Sequence, residues 1–83
     1  MGSLTVHVLN EDGNPIRGKR VGCIFVGSFF GIGDTNSEEY TDSDGEVTFE
    51  DIPTGSAKVF VDGKLQVKVS VGQNDHEDVT VTL

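Results

Sequence analysis

The chain has little that holds a small protein together other than packing. It has no tryptophan, one cysteine and a hydrophobic content of only 35% in 83 residues. The lone Cys23 excludes an internal disulfide, so the fold must stand on its core. A free cysteine in an apolar run is a small hydrophobe. A catalytic thiol needs a base or a cation beside it, and Gly22 and Ile24 supply neither. Basic residues are scarce as well: six Lys and Arg against fourteen Asp and Glu, a net charge of −8. That deficit argues against a nucleic-acid backbone as partner, which needs clustered Lys and Arg, and against an anionic membrane surface. The surplus acid favours solubility. The longest apolar run, Val21 to Val26, is far short of the ~20 residues of a membrane-spanning helix. Met1-Gly2-Ser3 has neither a charged nor an apolar stretch. It does not read as a signal peptide and is expected to be a cloning remnant at the head of a single domain, residues 1–83.

Helical periodicity is also missing. No ten-residue segment keeps an apolar stripe at helical spacing. What the chain has instead is turns: Asp12-Gly13-Asn14-Pro15, Thr41-Asp42-Ser43-Asp44-Gly45, Ile52-Pro53-Thr54-Gly55 and Asp62-Gly63. Such residues supply the positive φ, the fixed φ or the side-chain cap that reverses a chain. The segments between them alternate apolar and polar residues, the mark of a strand with one buried face. Leu4 to Leu9 and Asp78 to Leu83 alternate cleanly. Strands are also predicted at 17–26, 38–41, 46–49, 56–61 and 65–71, with Asp62-Gly63 as a two-residue hairpin turn. Seven strands in a chain this short predict an all-β, antiparallel Greek-key sandwich, because two packed sheets hide both inner faces. The expected core is Leu4, Val6, Val8, Val21, Cys23, Phe25, Val47, Phe49, Ile52, Val59, Val61, Leu65, Val67, Val69, Val79 and Val81. One small core leaves little volume for a deep substrate pocket.

Three of the turns, in order, resemble those of carboxypeptidase regulatory-like domains. Val6 to Val21 is similar to that family's first strand, its Gly-x-Pro turn and the start of its second strand. Thr41-Asp42-Ser43-Asp44-Gly45-Glu46-Val47-Thr48-Phe49 is similar to its central hairpin, and Ile52-Pro53-Thr54-Gly55 to the connection that follows. The resemblance runs through nearly the whole chain. It implies a transthyretin-like, Ig-like sandwich that is usually non-catalytic and serves secreted or cell-envelope proteins as an accessory or spacing unit. Two departures stand out. Ser56-Ala57 replaces the family's aromatic after Pro-x-Gly, and Gly27 to Ser37 is a long insertion. Related sandwiches close a Lys–Asn isopeptide bond, but Leu4 to Leu9 contains no Lys, so none is expected. Hydroxyisourate hydrolases of similar fold need a C-terminal Tyr-Arg-Gly-Ser, whereas this chain ends Thr80-Val81-Thr82-Leu83.

Two segments are candidate sites. Between Val21 and Ala57 there are eight acids and no Lys or Arg. Within that stretch Asp42, Asp44 and Glu46 carry the oxygens that a hard cation such as Ca²⁺ selects. They lack the third Asp or Asn and the closing Glu of a calcium loop, and the same residues equally make a capped turn. The second segment is the glycine-flanked Phe29-Phe30 with Ile32, near Tyr40, as a loop surface for a protein or carbohydrate partner. Its competing role is to plug the open end of the core. His7 and His76 are expected on opposite flanks, too far apart for zinc, and no nucleophile, base and orienter assemble into a catalytic set. The chain therefore reads as a non-enzymatic, monomeric module of a larger protein, with no cofactor beyond Ca²⁺ and no membrane insertion. The alternative is a carbohydrate- or calcium-binding module.

Overall fold

The computed structural model describes residues 2–27, 35–52, 55–72 and 75–83. Seven strands are formed: β1 (Gly2–Leu9), β2 (Arg20–Gly27), β3 (Thr35–Tyr40), β4 (Glu46–Ile52), β5 (Gly55–Val61), β6 (Lys64–Val71) and β7 (His76–Thr82). They make two sheets, ordered β4-β1-β7 and β3-β2-β5-β6. The chain crosses between the layers after β1, β3, β4 and β6, so each sheet is assembled from distant segments. The all-β two-sheet sandwich is as the turns and alternation require.

Alternation decides which face each strand buries. Leu4, Val6 and Val8 of the central β1 are fully enclosed. Opposite them lie Val21, Cys23 and Phe25 of β2 and Ala57, Val59 and Val61 of β5. Each Leu, Val or Phe among them is worth roughly 1.5–3 kcal/mol on burial. Phe25 and Phe49 meet edge to face across the two layers, with ring centroids 6.0 Å apart. Burial also pushes the Cys23 thiol up to about 12. It stays protonated at neutral pH and is no nucleophile.

Two bulges break the period, and each moves a side chain. In β4, Phe49 and Ile52 are both buried although three residues apart. The pairing with β1 slips there, from Leu4↔Phe49 to Gly2↔Ile52, and Asp51 takes φ 55. The extra residue re-aims Ile52 into the core. Between β5 and β6 the pairing slips from Val59↔Val67 to Phe60↔Leu65. Leu65 then shares the outer face with Phe60 and is 49% exposed, not part of the core as alternation predicts. Val67, Val69 and Val79 pack against the core only partly buried, while Ala57 and Val71 complete it.

Three further features differ from the sequence-based expectation. β2 begins at Arg20 rather than Arg17, because Gly18, at φ 76, turns the chain just before it. β3 begins at Thr35, so the segment between β2 and β3 is shorter than the Gly27–Ser37 insertion. The sheets are not wholly antiparallel, since β1 and β7 run parallel from Ser3↔His76 to Leu9↔Thr82. First and last strands are neighbours only through this non-local pair, which no turn sequence announces. Asp62 and Gly63, both at positive φ, do form the tight β5–β6 turn. Lys19 Nζ bonds Asp62 Oδ2 at 2.9 Å and holds that carboxyl below its usual range.

Candidate functional site

The acidic turn between β3 and β4 is built by its own side chains. Asp42 Oδ1 accepts hydrogen bonds from the Asp44 and Glu46 amides at 2.9 and 3.0 Å. The turn after β1 repeats this device with a neutral residue. Asn10 Oδ1 accepts from the Asp12 and Asn14 amides at 2.9 and 3.0 Å. The same geometry without the acid cluster identifies the Asp42 oxygen as a backbone cap. Carboxylate oxygens of Asp42, Asp44 and Glu46 lie within 4.8 Å of one another. One Asp42 oxygen is committed to the turn, and Glu46 Oε1 lies 3.2 Å from His7 Nδ1.

The two turns are fastened together. The Val8 amide donates to the Gly45 carbonyl at 2.8 Å, and the Ile16 amide to the Val8 carbonyl at 3.0 Å. Thr41, only 4% exposed, is the bolt. Its hydroxyl donates to the Ile16 carbonyl at 2.6 Å and accepts from the Lys19 amide at 2.9 Å. Thr41→Val keeps the shape and orphans both partners. The expected loss is about 1–3 kcal/mol, read as a drop in the urea midpoint with an unchanged m-value.

Of the loop residues, Phe29, Phe30 and Ile32 lie outside the described residues. Tyr40 closes β3 across from Arg20 and is 67% exposed. On the outer face of the same sheet, Gly22 leaves a shallow open depression rimmed by Arg20, Ile24, Glu38 and Phe60. Arg20 Nε and Glu38 Oε2 face each other there at 3.8 Å.

Sequence reasoning missed the convergence on the outer face of the other sheet. The parallel β1–β7 register places His7 and His76 on one outer face instead of opposite flanks. Asp78 Oδ1 is 3.5 Å from His7 Nε2 and 3.3 Å from His76 Nε2. The second nitrogen of each ring also meets an oxygen. His7 Nδ1 faces Glu46 Oε1, and His76 Nδ1 is 2.5 Å from Ser3 Oγ. Thr5 Oγ1 lies 3.4 Å from His76 Nε2 and 3.1 Å from Thr48 Oγ1. Alternation alone puts Ser3, Thr5 and His7 on the polar face of β1, but their partners are more than 35 residues away in β4 and β7. Ser3, His76 and Asp78 have the residue types of a hydrolytic triad. His76 and Asp78 are 49% and 62% exposed, so water screens the electrostatics that such a triad relies on.

No family model matches the chain, and no curated protein matches it. Solved structures do. A streptococcal ancillary pilin aligns with a TM-score of 0.77 at 16% identity, over 98% of this chain and 31% of that one. A 9R-lipoxygenase from Cyanothece PCC8801 aligns at 0.52 and 14% identity, over 98% of this chain and 16% of that one. The likeness is one of fold. This chain spans about a third or less of either protein, so in both the sandwich is one portion of a longer polypeptide.

Proposed function

We propose that the chain is a non-enzymatic spacer module of a larger cell-surface or secreted protein, of the carboxypeptidase regulatory-like type. The observation that carries this reading is the parallel β1–β7 pair. Ser3 lies level with His76 and Leu9 with Thr82. The chain therefore enters at one pole of the sandwich and leaves at the other, separated by roughly 20 Å of strand. An antiparallel pair would return the chain to its point of entry. Pole-to-pole passage lets such domains run in series as a rod. The occurrence of this fold within a longer pilin chain is in keeping with that role. Cys23 is buried, and that burial keeps its thiol protonated.

Two copies joined directly, Leu83 to Met1, test the reading by small-angle scattering. The expected result is a rod-like particle much longer than the 42 Å of one copy. Two sandwiches folded side by side, with nearly unchanged maximum dimension, would refute the spacer geometry.

A further inference from the structure

We propose that His7, His76 and Asp78 form a binding site for a divalent transition metal, zinc in the first instance, on the outer face of the β4-β1-β7 sheet. Zinc held at 2.0–2.2 Å by nitrogen and oxygen in tetrahedral array sets its ligands roughly 3.4 Å apart. The two imidazole-to-carboxylate distances, 3.5 and 3.3 Å, already have that spacing. The ligand atoms of His7, His76 and Asp78 do not all lie within 4.8 Å of one another, so the imidazole–imidazole edge is the one that must shorten. Both rings are partly exposed, at 32% and 49% of their side chains, and have room to turn.

The outer contacts have the pattern that metal-binding histidines require. A ligating imidazole donates its other N–H to an oxygen, which fixes its orientation. Glu46 Oε1 does this for His7 and Ser3 Oγ for His76. Charge points the same way. Asp78 and Glu46 have no Lys or Arg partner among the described residues, and the chain carries a net charge of −8. Two imidazoles with one carboxylate suit zinc, copper or nickel better than calcium or magnesium. The backbone under the site is the paired centre of a sheet. Water fills the remaining coordination positions. The site does not require the spacer role, although both rest on the β1–β7 pairing.

Zinc chloride titrated into the whole chain, followed by calorimetry and by NMR of the histidine rings, tests the site. One zinc per chain should saturate, shift both ring systems and raise the melting temperature. His7→Ala, His76→Ala and Asp78→Asn should each weaken binding tenfold or more. Glu46→Gln should weaken it by roughly 10–100-fold. Asp44→Asn, which touches only the acidic turn, should leave it unchanged. Absence of saturable binding up to millimolar zinc would overturn the proposal. So would binding that survives in His76→Ala and Asp78→Asn, or that is lost in Asp44→Asn. Circular dichroism without metal checks the fold of each variant. For any variant that fails to fold, the ring shifts of the unaltered chain decide: both rings must move.

Discussion

Gly45→Ala should cost about 2–5 kcal/mol, a large share of the total for a domain of this size, whose stability is on the order of 5 kcal/mol. Two effects add. Gly45 sits at φ 71, a left-handed conformation that costs an L side chain roughly 1–2 kcal/mol. A methyl group there would also lie 2.7 Å from the Val8 carbonyl oxygen, 2.9 Å from Pro15 Cβ and 3.0 Å from the Ile16 amide. Two of these are backbone atoms and cannot swing aside. Gly13 provides the internal control. Its φ is 84, but nothing stands within 4 Å of the position a Cβ would take. Gly13→Ala should therefore lose only the left-handed strain. Urea titration of the pair measures the difference directly. Equal midpoints for the two variants would mean that the turns do not pack against each other as described.

Phe49→Ala should destabilise by about 3–5 kcal/mol. Phe49 comes from β4 in one sheet and is 5% exposed. Its ring stands at 73° to that of Phe25, which comes from β2 in the other. Truncation opens a cavity where the layers meet and removes an edge-to-face contact worth about 0.5–1.5 kcal/mol beyond area. Because the two rings form one contact, Phe25→Ala and Phe49→Ala should not add. The double variant should be less destabilised than the sum of the singles. Strict additivity in a double-mutant cycle would place the rings apart and count against the cross-layer core.

The existence and order of the strands are legible in the sequence because both signals are local. Period-two alternation identifies Leu4 to Leu9, and positive-φ residues such as Gly45 and Gly63 identify where the chain reverses. Single-residue slips are not legible. The bulges at Asp51 and before Val67 leave no compositional trace, so Leu65 looks like core and is not. Thr41 looks like an ordinary turn residue, whereas its hydroxyl serves Ile16 and Lys19 more than 20 positions away. The histidine face was hidden for the same reason on a larger scale. His7 and His76 meet through a parallel pairing between the first and last strands, which depends on how two sheets stack and not on any local sequence.

That pairing holds up both the pole-to-pole passage of the chain and the convergence on Asp78. Inter-strand NOEs between β1 and β7 measure it most directly. Parallel pairing predicts contacts of Leu4 with Glu77, Val6 with Val79 and Val8 with Val81. Contacts running in the reverse order, with Leu4 near Val81 and Val8 near Glu77, would contradict it.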